Sequence, residues 1–175
     1  IDAFDSKNEV AAGGIGEIVV LGPTTTEAYF ARAEATRMAK IVLDGRVWHR
    51  MGDLGYFDAQ GRLWFVGRKA HRVETGNGVF FPEVVEGVLN VHPRVRRTAL
   101  VGVKVHGKAV PGVCVELAQD VSRDAWKRIR YELRDLALRN DATNVIRHFW
   151  RHPGFPVDIR HNSKIDRIAL ARWAS

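Results

Sequence analysis

Three charged side chains lie at positions where their charge could do chemistry. Asp53 lies between Gly52 and Gly55 at a predicted strand start, where its carboxylate could accept two hydrogen bonds, as from a ribose diol. Arg68 directly follows a predicted strand, and its fork of donors could bind an anion or a hydroxyl. Lys164 lies in a predicted polar loop, where its ammonium could meet a phosphate as a point charge. Each also fits an ordinary role: a turn-capping aspartate, a surface ion pair and a solvated lysine.

A group of histidines near the C-terminus is the other candidate for chemistry. His148 and His152 are spaced i, i+4, and on one helical face such a pair can bind a metal. A proline follows directly and no cysteine is near, so we expect packing or loop hydrogen bonds and no metal site. His161 and Asn162 precede Lys164 closely, and we consider them as possible supports of the lysine loop.

The composition restricts the class of protein. The 175 residues include 46% hydrophobic and 27% charged residues, which is an ordinary globular balance. Cys114 is the only cysteine, which excludes a disulfide framework and a cysteine-rich zinc site within one chain. No apolar window reaches the roughly 20 residues of a membrane span, and the start is unlike a signal peptide. We therefore expect a cytoplasmic location, and the absence of an initiator Met suggests a processed chain or a fragment.

The net charge of +7 raises the question of nucleic-acid binding. Residues 121–175 carry 12 Lys or Arg against 6 Asp or Glu, so the basic excess is concentrated in the last third. A solvated basic face explains this about as well as an anion site does. No finger, RNP or GXXG pattern accompanies the charge, so we do not expect sequence-specific nucleic-acid binding.

The first 66 residues read mainly as β-structure. A β-rich run at 16–21 is bounded by glycines and proline, and an Ala-rich stretch at 26–40 predicts one or two short helices. Strands are predicted at 46–50, 52–57 and 62–66, with a hairpin turn at 58–61. The polar stretch 67–72 then marks a domain boundary.

The rest of the chain mixes helices and strands, which predicts an α+β fold with helices packed on a sheet. Phe81, Pro82 and Glu83 open a helix that ends before His92. Ser122 is a predicted N-cap for a helix over 125–139, whose apolar residues, among them Trp126, recur at helical spacing. The remaining predicted elements are strands at 95–105, 109–117 and 155–159, a short helix at 144–150, and a last helix at 165–173.

Two runs together make a specific motif. They are GDLGYFDAQGRLWFVGR at 52–68 and NSKIDR at 162–167, and with GEIVVLGP at 16–23 the pattern covers nearly the whole chain. This pattern resembles the C-terminal third of the adenylate-forming superfamily, which includes acyl-CoA synthetases, peptide-synthetase adenylation domains and luciferases. The resemblance implies that Asp53 binds the ATP ribose hydroxyls and that Arg68 also contacts the nucleotide. It implies that Lys164 contacts the carboxylate and the α-phosphate, and that Lys69 and Ala70 form a hinge.

The same resemblance implies a domain organisation. Residues 1–67 correspond to the end of the large N-terminal domain, 68–72 to the hinge, and 73–175 to the small α+β lid. Glu83 and Glu86 match the acidic positions at the start of the family's P-x-E-x-E helix. ATP and Mg²⁺ are the implied cofactors, and the phosphate loop and magnesium site are expected in an N-terminal part that precedes Ile1. The chain alone is therefore expected to be inactive.

The run FPVDIRHNSK at 155–164 replaces the family's usual S-G-K ending. It resembles the β-lactone synthetases of olefin biosynthesis. This implies a bacterial enzyme that adenylates a long-chain β-hydroxy acid, whose hydroxyl then displaces AMP without coenzyme A, beside other enzymes of a hydrocarbon pathway. Two alternatives stay open: a fatty acyl-CoA synthetase or acyl ligase of the same superfamily, and a non-catalytic basic RNA-binding or adaptor module.

Overall fold

The structure, a computed structural model, describes residues 6–158 and 161–175. The chain divides into two compact units, Ile1–Ala70 and His71–Ser175. Helices and separate sheets make up the described part, and the predicted α+β class is confirmed. No helix within the described ranges is both long and apolar enough to cross a membrane.

The first unit is built around one long strand, β3. It pairs antiparallel with β1, β2 and β4 to form a four-stranded sheet. The elements are a 3-10 turn at Ser6–Asn8, β1 (Gly16–Val20), α1 (Ala33–Ala39), β2 (Lys40–Leu43), β3 (Arg46–Phe57), β4 (Leu63–Arg68) and a second 3-10 turn at Lys69–His71 that reaches the unit boundary.

Two tight turns set the register of this sheet. Asp44 and Gly45 both have positive φ, 50° and 71°, and connect β2 to β3 as a two-residue hairpin loop of the kind that matches strand twist. Between β3 and β4, the Asp58 carboxylate accepts from the Arg62 amide at 2.9 Å, and Gly61 has a φ of +74°. The second hairpin was predicted from the sequence; the first was not.

The Ala-rich stretch at 26–40 forms less helix than predicted. Only α1 is helical, and at Lys40 the backbone is already extended (φ −120°, ψ 138°) as it enters β2. Lys40 pairs with His49 and Ile41 with Trp48 on β3. Pairing with β3 therefore overrides the local helix preference at the end of this stretch.

The second unit consists of a three-stranded sheet, two small hairpins and three helices. In the sheet, β8 lies between an antiparallel β7 and a parallel β9, and β5–β6 and β10–β11 form the hairpins. The elements are β5 (Val73–Thr75), β6 (Gly78–Phe80), α2 (Pro82–Leu89), β7 (Val95–Val105), β8 (Lys108–Leu117), α3 (Arg123–Leu138), β9 (His148–Arg151), β10 (Val157–Asp158), β11 (His161–Ile165) and α4 (Arg167–Ala174).

The three-stranded sheet buries apolar side chains on both of its faces. Leu100 and Val113 pack in one cluster with residues of α2 and α3, while Ala99 and Cys114 pack in another with Leu170 of α4. Successive strand residues point to opposite faces, which explains why neighbours in sequence belong to different clusters. Burial raises the pKa of the Cys114 thiol to about 12, so this cysteine is a packing residue and not a nucleophile.

The helix predicted at 144–150 is wrong. His148–Arg151 forms β9, which runs parallel to β8 with His148 opposite Gly112. Phe149 packs with the α2–α3 cluster, whereas Trp150 packs against the α4 cluster, so the segment has the two-residue period of a strand buried on both faces. His148 and His152 therefore do not lie one turn apart on a helix.

Candidate functional site

The strand pair β3–β4 brings two of the candidate residues together. Asp53 and Arg68 are direct cross-strand partners, and Arg68 Nη1 lies 2.9 Å from Asp53 Oδ1. Arg68 Nη1 also donates to the Met51 carbonyl oxygen at 3.2 Å. The Asp53 side chain is 18% exposed and that of Arg68 is 57% exposed, so the pair has a sheltered carboxylate and an accessible guanidinium.

One oxygen of this carboxylate has unusual surroundings. Asp53 Oδ1 is buried and accepts no hydrogen bond from the described residues, because the nearby Arg68 guanidinium is close without being aligned to donate. A buried acceptor without a hydrogen bond costs about 1–3 kcal/mol, and the ion pair with Arg68 offsets part of that cost. Such an acceptor beside a cation fits a ligand hydroxyl as donor, which is what a ribose diol provides.

Glycines on either side of Asp53 make this geometry possible. Gly52 has a φ of +66°, which favours glycine. The register shifts between Leu54 and Gly55, and a Cβ on Gly55 would lie 2.7 Å from the Trp64 carbonyl oxygen. The glycines of the GDLG run therefore let β3 bend and let β4 approach closely next to the carboxylate.

Lys69, one of the two predicted hinge residues, is held within the first unit. Its Nζ lies 2.7 Å from Glu17 Oε2 on β1, and Arg50 Nη2 lies 2.6 Å from the same oxygen. Burial alone raises the pKa of Glu17, but the hydrogen bonds and charges of Arg50 and Lys69 outweigh it and lower that pKa. Ala70 follows Lys69 and ends the first unit.

Sequence reasoning missed Glu17 and Arg50. The available signal was a single carboxylate inside the apolar run GEIVV, since a charge on a half-buried strand needs a partner. The partners themselves lie 33 and 52 residues away in sequence, and spacing alone does not identify them.

Lys164 lies in a strand and not in the predicted loop. It belongs to β11, which pairs antiparallel with β10 so that Val157 is opposite Ile165. The hairpin is closed by the Asp166 amide, which donates to the Pro156 carbonyl oxygen at 2.9 Å. The Lys164 side chain is exposed, and no described residue forms an ion pair with it.

The two proposed supports of Lys164 cannot be compared with the structure. The backbone of His161 and Asn162 lies in β11, but their side chains fall outside what the structure describes. No three His, Cys, Asp or Glu side chains in the described ranges group as metal ligands.

Arg167, three residues after Lys164 in the chain, forms a buried ion pair with Glu86. Arg167, at the start of α4, donates through Nη1 and Nη2 to the two oxygens of Glu86, the second at 3.1 Å. Glu86 Oε1 also accepts from the Leu100 amide at 2.8 Å. Glu86 is thus a buried anchor between α2, β7 and α4, and not only a carboxylate near a helix N-terminus.

The candidate residues fall into the two units separately. Asp53, Arg68 and Lys69 belong to the first unit, and Lys164 with its Arg167–Glu86 anchor belongs to the second. The first group can hold a polar, hydroxyl-bearing ligand, and the second presents an exposed ammonium on an anchored hairpin.

Comparisons with known proteins extend over the whole chain. No protein-family model matches it. The chain is 56% identical over 180 residues to an olefin β-lactone synthetase of Xanthomonas campestris pv. campestris, a match that covers 100% of this chain and 32% of that protein. The chain therefore spans about a third of this relative's length, in its C-terminal part.

Solved structures show the same correspondence. The amide bond synthetase McbA from Marinactinospora thermotolerans superposes with a TM-score of 0.78 at 27% identity, over 99% of this chain and 34% of that one. The o-succinylbenzoate CoA synthetase MenE from Bacillus subtilis, solved with ATP and a magnesium ion, superposes with a TM-score of 0.73 at 27% identity, over 97% and 33% respectively.

Proposed function

The chain belongs with the C-terminal part of adenylate-forming enzymes and is a relative of the olefin β-lactone synthetases, and from this we propose a nucleotide-handling role for it. In the proposal it supplies a nucleotide-binding strand pair and a lysine to an enzyme that activates a carboxylic acid as acyl-AMP with ATP. Residues 1–67 are the end of the large domain, 68–72 the hinge and 73–175 the lid.

The observation that carries the proposal is the buried Asp53 oxygen, which forms an ion pair with Arg68 but accepts no hydrogen bond from the described residues. A ribose diol donates to a carboxylate, and the Arg68 guanidinium, 57% exposed, is accessible to a further acceptor of the nucleotide. ATP with magnesium supplies the adenylyl group, and these two residues hold its sugar. In the proposal, the magnesium ligands come from the part of the enzyme that corresponds to the other two thirds of the relative's length.

Lys164 provides the charge that adenylation requires. When a carboxylate attacks the α-phosphorus, two anions approach and negative charge builds on the nonbridging oxygens. An ammonium placed there stabilises the transition state more than the bound substrate. The exposed side chain and the anchored β10–β11 hairpin fit that role, because the backbone of Lys164 is held while its charge stays accessible.

The substrate we propose is a long-chain β-hydroxy acid. Support comes from the match to a β-lactone synthetase over the full chain and from the run at 155–164. The β-hydroxyl of the acyl adenylate attacks its own carbonyl carbon and loses its proton to solvent, the acyl–phosphate bond breaks, and AMP leaves as the four-membered lactone closes. Because the nucleophile is tethered, proximity supplies much of the rate and coenzyme A is not needed.

The first test compares site variants of the full-length enzyme. Asp53→Ala should raise the ATP concentration needed for half-maximal rate, since each lost charge-assisted hydrogen bond costs about 1.5–3 kcal/mol. Lys164→Ala should cut adenylation by about 10²–10³-fold while sparing ATP binding. Lys104→Ala, an exposed lysine on β7, is the matched control and should leave both unchanged. Unchanged adenylation in Lys164→Ala would refute the assignment.

The second test separates the lactone from a thioester. The enzyme is incubated with ATP, magnesium and a β-hydroxy acid, with and without coenzyme A, and products are identified by mass spectrometry. A lactone formed at the same rate in both supports the proposal, and a presynthesised β-hydroxyacyl adenylate should still lactonise in Lys164→Ala. A product that requires coenzyme A would instead make the enzyme an acyl-CoA synthetase.

A further inference from the structure

A basic groove lies along one edge of the second unit. It is formed by one face of α3 and by β9 with the residue before it, and its volume is about 420 Å³. Its lining combines cations with aromatic rings and includes no carboxylate: Lys127, Arg130, Tyr131, Arg134, Arg147, His148, Phe149 and Trp150.

The helical wall concentrates positive charge on one face. Lys127, Arg130 and Arg134 follow at i, i+3 and i+7, so they lie next to one another on α3. The buried residues of the helix, among them Ile129 and Leu133, occupy the other side. Like charges at this spacing destabilise a helix by about 0.2–0.5 kcal/mol per pair, so the arrangement is unfavourable unless an anion relieves it.

Of the three groove cations on α3, only Lys127 has an acidic partner on the same helix among the described residues. Asp124 forms an ion pair with Lys127 at 2.8 Å, while Asp135 pairs with Arg139 at 2.6 Å, away from the groove lining. In the part of the chain that the structure describes, neither Arg130 nor Arg134 has a carboxylate within ion-pair distance.

The strand wall adds an oriented arginine and a flat aromatic surface. Arg147 Nη1 donates to the carbonyl oxygens of Asn144 and Ile146, which restrains the guanidinium at the rim. The His148 ring stacks on Trp150 with centroids 5.7 Å apart and an interplanar angle of 13°. Across the groove, the Tyr131 side chain is 75% exposed.

From these observations we propose that the groove binds an oligophosphate anion, either free pyrophosphate or the phosphate chain of a nucleotide. Arg130 and Arg134 offer planar donor forks, which match phosphate oxygens bidentately and bind them better than point charges do, and Arg147 adds the donors that its carbonyl bonds leave. The volume lies within the range of small-molecule sites. An open groove of about 420 Å³ holds only a few phosphate groups, which favours a small polyphosphate over a nucleic-acid backbone as the ligand. This inference does not depend on the proposed function.

The test uses the 175-residue chain and titrates it with pyrophosphate by isothermal calorimetry at constant ionic strength. The variant Arg130→Gln/Arg134→Gln removes two groove cations. The matched control, Arg123→Gln/Arg128→Gln, removes two exposed arginines of the same helix that do not line the groove. Both variants lose the same charge, and amide hydrogen exchange of α3 reports whether each is folded.

We expect saturable 1:1 binding that weakens about 100-fold in the groove variant, roughly tenfold for each lost charged contact, and less than threefold in the control. ATP binding more tightly than pyrophosphate, with the same loss in the groove variant, would identify a nucleotide as the ligand. Absence of saturable binding, equal weakening in both variants, or stronger binding of a poly-glutamate peptide or an RNA oligonucleotide would overturn the proposal.

Discussion

Removing Arg167 should leave a buried charge without its partner. The Arg167 and Glu86 side chains are only 14% and 9% exposed, and the guanidinium contacts both carboxylate oxygens. We predict that Arg167→Met destabilises the second unit by about 3–5 kcal/mol at pH 7, the cost of breaking a buried ion pair from one side. Arg172→Met, an exposed arginine of the same helix, should change stability by no more than about 0.5 kcal/mol.

The penalty should depend on pH in a defined direction. Burial raises the pKa of Glu86 above its ordinary value of 4.5 even though Arg167 opposes the rise. Without Arg167 that pKa rises further, so the folded state takes up a proton more readily than the unfolded chain does. A carboxyl whose pKa is raised in the folded state contributes stability that is fully present below pH 4.5. This stability is lost as pH rises through the folded-state pKa. The cost of Arg167→Met should therefore shrink between pH 7 and pH 4.

Amide hydrogen exchange is the appropriate assay because it reports on one unit at a time. The Leu100 amide donates to Glu86, and together with the α4 amides it should lose protection in Arg167→Met. The double variant Glu86→Gln/Arg167→Met should recover much of the loss, since a neutral amide can still accept from Leu100. Equal protection in Arg167→Met and Arg172→Met at pH 7, or a penalty that does not shrink at pH 4, would refute the reasoning.

Two further predictions concern the β3–β4 hairpin. Gly55→Ala should destabilise the first unit by about 1–3 kcal/mol in denaturant unfolding, because its Cβ would clash with the Trp64 carbonyl oxygen, whereas Gly22→Ala has open space and should cost little. The Asp58 carboxylate accepts hydrogen bonds from the Trp64 indole N–H and from the amide and side chain of Arg62. These bonds, that of Trp64 foremost, lower the pKa of Asp58 to about 2, although burial opposes this. NMR titration should show the hairpin losing this stabilisation as pH falls from about 4 towards 2, and Trp64→Phe should raise that pKa.

Elements with a strong local signal were predictable from the sequence. The Ser122 side chain caps α3 by accepting from the Ala125 amide at 3.2 Å, and the helix follows its apolar spacing. The strands β7 and β8 correspond to the long predicted β runs on either side of a Gly turn. The hairpin turn at 58–61 was predictable in the same way, but the pairing of Asp53 with Arg68 was not, because the register shift between Leu54 and Gly55 moves the partner by one residue.

Elements that depend on distant partners were not predictable. β9 becomes a strand because β8 lies beside it, and the four-residue run HFWR at 148–151 is too short for its pattern to distinguish a strand from a helix segment. β2 forms because β3 pairs with it, and β11 because β10 does. The Glu86–Arg167 pair joins positions 81 residues apart, a separation at which no periodicity carries information.

Two multiply bonded carboxylates, the partly buried Glu17 and the buried Glu86, have a common consequence for the site. Each binds a cation that is adjacent or close in sequence to a proposed functional residue: Lys69 precedes Ala70, and Arg167 follows Lys164 by three residues. A buried, multiply bonded carboxylate holds its cation more firmly than a surface ion pair does, so the neighbouring backbone is restrained as well. The Lys164 side chain is exposed, while the β10–β11 pairing and the Arg167–Glu86 ion pair three residues further on restrain the backbone around it. A substitution of Glu86 should accordingly lower the adenylation rate that depends on Lys164, although Glu86 itself contacts no ligand in the proposal. Glu86 is in this sense a positioning residue.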